Sequence, residues 1–346
     1  MKKVLIIIGK LLSFIGITVA GILIAVLLII NMFCNGSSEK ARDVFVTTML
    51  ETGQVKFVVN WFLSDKEIKE IVKNNSLKDM DAEVDTNLIN IDTNKDQEAI
   101  TIEDINGGTF RGKMMIISDP STVYLATTYP WSEYGQELDK LVQKSGAIGG
   151  VNGGLYVSTG NKGGYPIGVV VSKGQIQYNN TGGYPGLYLI GLDNNNLLRI
   201  IEITGKSKSA IESLVKEEGI RDAVTFQDEY SDKNNHFVKL IINGEKRELN
   251  GLGSGANPRT VIGQRKDGTI LLLVTDGRGD GGHLGATASD LIKVMSDYGA
   301  VNAANLDGGS STSMYYNGEY LKTSVTMYYS NSSWKIPTAF VVGGDK

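Results

Sequence analysis

Three glycine-rich segments hold most of the side chains in this chain that are equipped for chemistry. The first is Gly149-Gly150-Val151-Asn152-Gly153-Gly154-Leu155-Tyr156. The second is Asn257-Pro258-Arg259-Thr260-Val261-Ile262-Gly263. The third opens at Thr275-Asp276-Gly277-Arg278 and resumes at Asn305-Leu306-Asp307-Gly308-Gly309-Ser310-Ser311-Thr312. Glycine beside Asn or Asp at a strand end lets backbone approach a ligand and turns N–H groups outward as donors. Any one of these segments alone reads first as a tight turn. Their combination is what asks for a site.

The elements that must position them follow from hydrophobic patterning. Ile270 to Thr275 is an apolar strand ending at Asp276, and a glycine-rich loop follows from Gly277 to Gly285. Ala288, Leu291, Ile292 and Met295 then recur at i, i+3, i+4 and i+7, which predicts a helix with Thr287 as its N-cap. Gly299 ends it, and Val301 to Leu306 is a second strand ending at Asp307. Strand, helix and strand at this spacing predict a parallel crossover. Asp276 and Asp307 would then stand at the same edge of a sheet, where open α/β sheets place ligands.

Upstream, short β-rich runs at 114–118, 122–126, 168–172, 187–191, 197–203 and 238–242 alternate with Gly- and Asn-rich turns. Helical patterns interrupt them at 134–145, 209–217 and 287–298. The expected fold is α+β with mixed α/β character, a mixed-sheet globular domain closed by that strand-helix-strand unit. It spans 106–346, preceded by a polar linker at 76–105 with one strand expected at 88–91.

Residues 36–75 read as a helical stalk, with a capping box at Ser64-Asp65-Lys66-Glu67. Its apolar residues Val55, Val58, Val59 and Phe62 would serve self-association, rest on a membrane, or pack on the main domain.

Residues 11–33 carry no charge and are mostly Leu, Ile and Val, long enough to cross a hydrocarbon core of roughly 30 Å. Lys2, Lys3 and Lys10 precede the run, so residues 1–35 are expected to form a cytoplasmic tip and single-pass anchor, with the main domain outside the cell. A cleaved signal would have a shorter apolar region and a small-residue cleavage site. Cys34 is the only cysteine, so the exported part must be held by its core without disulfides. Leaving out the three leading lysines, that part carries 31 basic against 38 acidic side chains, net −7. Non-specific nucleic-acid binding is disfavoured by that balance.

In order and spacing, the three segments resemble the phosphodiester glycosidase family, whose animal member removes N-acetylglucosamine from a phosphodiester to uncover mannose 6-phosphate. The resemblance covers roughly Met114 to Gly344. The family's N-G-G-[FY], R-T-x-x-G, D-G and N-L-D-G-G-[GS]-S-[ST] elements all have counterparts. Leu155 stands where an aromatic is common, with Tyr156 beside it, and Ser310 replaces a frequent glycine.

The resemblance implies a glycosidase acting on an N-acetylglucosamine-1-phosphodiester-like substrate, in a cell-wall polymer or exopolysaccharide; no cofactor and no metal are assigned. Cleavage at the anomeric carbon needs an oxocarbenium-like transition state stabilised by carboxylates. Asp276 and Asp307 would supply them as catalytic residues. Phosphate leaves as a stable anion, so positive charge on it matters more than strong protonation, and Arg259 and Arg278 would supply that charge. Asn152, Gly153, Asn305, Gly308, Gly309, Ser311 and Thr312 would line the substrate. The rival reading is a non-catalytic carbohydrate-binding or exopolysaccharide-assembly module.

Weaker patterns remain. Asp92-x-Asn94-x-Asp96 with Glu103 mimics a calcium loop, but Gln97 takes the place of the needed glycine. Asp276 and Asp280 are candidate ligands for a hard cation, and His283 reads either as a proton shuttle or as an exposed loop histidine. Two histidines and one cysteine argue against zinc. A serine hydrolase built on Ser254 or Ser311 lacks a recognisable histidine partner.

Overall fold

The computed structural model describes residues 2–52, 55–92, 100–230, 235–324 and 332–343. Helix α1, Lys2–Asn35, opens the chain, and its apolar side chains are exposed along nearly its whole length. Among the described residues it is the one helix long and apolar enough to cross a membrane. Only at its far end do Ile30 and Cys34 enter a packed cluster.

That cluster is closed by α2 (Glu39–Glu51), a 3₁₀ turn at Lys56–Trp61, and α3 (Asp65–Asn74). Val46, Val59, Leu63, Ile68 and Ile71 bury their side chains there around Cys34. The capping box is present: the Ser64 N–H donates to the Glu67 carboxylate at 2.8 Å while Ser64 Oγ accepts from the Glu67 N–H. The segment after α3 lies along the main domain. The buried Lys239 ammonium donates to the Met80 and Ala82 carbonyls at 2.9 and 2.8 Å.

No strand forms at 88–91. Thr86–Leu88 is a 3₁₀ turn, and the N–H groups of Asn90 and Asp92 go to the Lys266 and Asp267 carbonyls of a hairpin turn. Residues 93–99, which include most of the calcium-like pattern, lie outside the described residues. Its last member, Glu103, sits in a strand and accepts from the Tyr298 hydroxyl at 2.6 Å.

Three larger antiparallel sheets make the domain. The seven-stranded sheet runs 100–106, 111–117, 270–275, 260–265, 300–305, 239–242, 245–246 in spatial order. A five-stranded sheet follows the order 319–323, 313–316, 149–152, 338–342, 123–127, and another the order 175–180, 168–172, 220–227, 187–193, 198–202. The largest core draws on all three sheets, among them Met115, Leu272, Val151, Phe340, Ile190 and Val224. Each sheet buries another apolar face under a helix. The expected α+β fold is therefore the observed one. Helix α4 (Leu138–Lys144) covers the first five-stranded sheet, α5 (Lys208–Glu217) the second, and α6 (Ala288–Asp297) the seven-stranded sheet.

The strand-helix-strand unit forms around α6, with Thr287 as N-cap in a capping box with Asp290. Its two strands run in the same direction but are not neighbours. Thr260–Arg265 lies between them, antiparallel to both. The reason is local: a short turn joins 260–265 to 270–275 as a hairpin, and that pairing forms in preference to a direct parallel one. Asp276 and Asp307 still end up at one edge of the sheet. The inserted strand brings Arg259 to the same edge, at its own start.

Candidate active site

Asp307 follows the strand Ala300–Asn305 and is held by its backbone as well as its carboxyl. Asn152, the last residue of its strand, donates from Nδ2 to the Asp307 carbonyl at 2.6 Å. Its Oδ1 accepts from Thr260 Oγ1 at 2.6 Å and from the Ser313 N–H at 3.2 Å. Buried Asn152 thus joins two sheets directly beneath Asp307. Burial pushes the Asp307 carboxyl up to about 7, opposed by hydrogen bonds from Ser311 and the Gly308 N–H and by the Arg278 charge. A carboxyl poised there can hold or release a proton near neutral pH.

The Ser311 hydroxyl is itself fixed by the buried Tyr156 hydroxyl at 2.9 Å. Burial, then the nearby Asp307 charge, raises the Tyr156 phenol well above its ordinary range, so it stays protonated.

Arg278 reaches the same place from the loop after Asp276. Its Nη1 donates to Ser310 Oγ at 2.8 Å, while its buried Nε has no hydrogen-bond partner among the described residues. Burial lowers its pKa from the usual guanidinium value, helped by Arg259 and opposed by Asp307. Two glycines make room. A Cβ on Gly309 (φ 60°) would stand 2.7 Å from Arg278 Nη2, and one on Gly308 would stand 2.8 Å from the Pro258 carbonyl oxygen. Gly153 and Gly154 serve packing: their Cβ atoms would strike Thr338 and Thr225 in neighbouring strands.

Asp276 belongs to a second hydrogen-bonded set. It is 2 % exposed, and its Oδ1 accepts the Arg111 N–H at 2.7 Å. Its Oδ2 faces His283 Nδ1 at 2.9 Å and accepts from Lys322 Nζ at 3.0 Å. With an ammonium already on it, this carboxylate is poorly suited to a hard cation shared with Asp280. The loop Gly277–Gly285 links the two sets, since it carries both Arg278 and His283.

Arg259 is engaged elsewhere. Its guanidinium pairs with Glu51 of α2 and donates to the Gly255 carbonyl at 3.0 Å, over the Phe237 ring at 4.9 Å. Asn305 is buried with Nδ2 on the Phe237 carbonyl at 3.0 Å, and its Oδ1 has no partner among the described residues. Thr312 Oγ1 is likewise buried without one. Asp307, Arg278, Gly308, Gly309 and Ser311 therefore converge. Asn152 braces them, and Arg259 with Asn305 lies around Phe237.

Sequence reasoning passed over Lys322, Tyr156, Ser310 and Glu51 as site residues. Tyr156 and Ser310 stood inside recognised motifs and carried a signal. Lys322 lies in an ordinary strand, and Glu51 in a helix more than two hundred positions before its partner, where spacing says nothing.

The profile of the phosphodiester glycosidase family matches residues 145–343. A SPbeta prophage-derived uncharacterized protein, YomE, of Bacillus subtilis strain 168 is 40 % identical over 65 residues, 19 % of this chain and 10 % of that protein. The chain thus spans a small part of that relative's length. Among solved structures, the zebrafish N-acetylglucosamine-1-phosphodiester alpha-N-acetylglucosaminidase catalytic domain, auto-inhibited by pro-peptide, superposes with a TM-score of 0.53 and 18 % identity. That match covers 76 % of this chain and 87 % of the zebrafish one, a likeness of fold.

Proposed function

The chain belongs to the phosphodiester glycosidase family, and on that premise we propose that it hydrolyses a sugar-1-phosphodiester of the N-acetylglucosamine type. One observation carries the reading: a carboxyl pushed up to about 7 at Asp307 stands beside the guanidinium of Arg278, whose buried Nε has no partner among the described residues. Arg is suited to forking onto phosphate oxygens, and a carboxyl is suited to an oxocarbenium-like sugar. The two residues supply both halves of the bond to be cut. Sugar and phosphate would meet at Asp307 and Arg278, with Ser310 and Ser311 on the phosphate side.

The proposed place of action rests on a reading of α1. It is read as an uncleaved anchor with the N-terminus in the cytoplasm and the domain outside, confining activity to polymers near the membrane. A cell-wall polymer or exopolysaccharide bearing sugar-1-phosphodiester links is the proposed substrate.

The test is release of free sugar from N-acetylglucosamine-1-phosphodiester model compounds and from polymer fragments by the full chain in detergent. Wild type is expected to release sugar and Asp307→Asn to lose the activity. Failure of the wild type on every sugar offered, or unchanged release by Asp307→Asn, would favour the rival reading of a carbohydrate-binding module.

A further inference from the structure

We infer that His283 is the proton-accepting residue of the reaction, with Asp276 and Lys322 as the residues that position it. The inference rests on the hydrolase reading above and assigns a role to a side chain outside the family motifs quoted above.

The geometry fixes the ring. Asp276 is 2 % exposed and receives the Arg111 N–H and the Lys322 ammonium as well as His283. Both of those partners donate, so the carboxylate meets His283 as an acceptor too. His283 Nδ1 at 2.9 Å must therefore carry the hydrogen, which leaves Nε2 of the neutral ring with its lone pair. A carboxylate that fixes the tautomer of a histidine is the arrangement that makes imidazole a directed base.

The loop is shaped to hold it there. Arg278 and Gly279 have φ of 56° and 88°, Gly281 and Gly282 of 56° and 84°, so the chain turns back on itself within a few residues. The Gly279 N–H donates to the His283 carbonyl at 2.8 Å, and the His283 N–H to the Asp280 carbonyl at 2.9 Å. The ring side chain keeps 23 % exposure, so it is not closed off from solvent. Arg278, at the base of the same loop, places the guanidinium beside Asp307. One loop therefore carries both the phosphate-directed charge and the base.

In the step proposed, a water oxygen forms its bond to the anomeric carbon as the bond from that carbon to the phosphate oxygen breaks. The electron pair of that bond leaves with the phosphate monoester. The water proton passes to His283 Nε2, and the imidazolium is stabilised by Asp276. The charged group against the ring is Asp276, which also holds Lys322.

The test uses the full chain in detergent micelles. His283→Ala is expected to lower kcat by about 10²–10⁴ with KM little changed, and added imidazole to restore part of it. Lys322→Gln is expected to lower kcat less and to shift the pH–rate profile. Unchanged kcat in His283→Ala, or loss confined to KM, overturns the role. A second readout does not need activity. The chain has two histidines, so ¹⁵N-histidine labelling with His283→Gln for assignment reads the tautomer directly. Protonated Nδ1 in the wild type at pH 8, lost in Asp276→Asn, is the expected result. Protonated Nε2 in the wild type overturns the dyad. Wild type inert on every substrate, with the tautomer as expected, counts against the hydrolase reading and leaves the dyad standing.

Discussion

The carboxylate of Glu51, on the helix that follows α1, closes an ion pair with Arg259, whose motif opens the central strand of the candidate site. Both side chains are nearly buried, at 5 % and 7 % exposure. Glu51 also accepts the Gly255 N–H and the Asn257 side-chain amide, while Thr48 Oγ1 accepts the Ala256 N–H at 2.9 Å. Helix α2 is thus fastened to the loop that leads into Arg259. Removing one member of a buried pair leaves the other charge uncompensated, at a cost of about 3–5 kcal/mol. Glu51→Gln is therefore expected to lower Tm by roughly 10 °C in thermal unfolding of the detergent-solubilised chain. Glu51→Leu combined with Arg259→Met should cost less than the sum of the two single changes, because the double change leaves no lone buried charge.

Asp307 gives stability a pH dependence of a definite sign. Its folded carboxyl lies at about 7, above the ordinary value of 3.8. The folded state holds the proton more tightly than the unfolded chain, so this contribution is fully present below pH 3.8 and is lost as pH rises through 7. Asp307→Asn keeps the shape and cannot ionise. Compared with the wild type it should gain stability at pH 8, by an amount on the order of a few kcal/mol. The gain should disappear by pH 4. Urea unfolding at both pH values measures it, and a gain independent of pH would contradict the assignment.

Much of this arrangement was legible in the sequence, and the legible part had local causes. The period-3.6 pattern at Ala288, Leu291, Ile292 and Met295 and the flanking apolar strands placed Asp276 and Asp307 at one sheet edge. The intervening strand was not legible in that pattern, because it is recruited by a hairpin turn and not by the crossover. The missing strand at 88–91 has a similar cause: its backbone groups are satisfied by a distant turn at Lys266 and Asp267. Lys322 on Asp276 and Glu51 on Arg259 depend on tertiary approach alone. Neither has a spacing signature, since each partner lies on a separate element.

Arg278 is expected to tolerate no other cation. Its Nη1 is spent on Ser310 at 2.8 Å, while the buried Nε remains for a ligand oxygen. A lysine ammonium is a point charge and cannot hold the serine and a phosphate oxygen in one plane. Arg278→Lys should lower kcat/KM for sugar-1-phosphodiesters by about 10²-fold, a loss of about 3 kcal/mol in transition-state stabilisation. The loss should be smaller for a model substrate whose leaving group is an uncharged phenol. Steady-state kinetics on the pair of substrates separates the phosphate contribution from a general loss of fold.

Gly309 gives the sharpest separation of site from scaffold. Its φ of 60° disfavours any side chain, and an added Cβ would sit 2.7 Å from Arg278 Nη2. The neighbour that must yield is the end of a flexible side chain, so the fold can absorb Gly309→Ala by moving the guanidinium. At Gly308 the obstacle is the Pro258 carbonyl oxygen at 2.8 Å, which is backbone and cannot step aside. Gly309→Ala should therefore cost about 1–2 kcal/mol of stability, chiefly backbone strain, while activity falls at least about tenfold through the displaced Arg278. Gly308→Ala should cost more stability, because the Gly309 N–H to Pro258 carbonyl hydrogen bond of 2.8 Å lies on the same path. Unfolding midpoints and sugar release, measured on both variants, decide the matter: a Gly309→Ala protein that keeps full activity would mean that the guanidinium position observed beside Asp307 is not the one used in turnover.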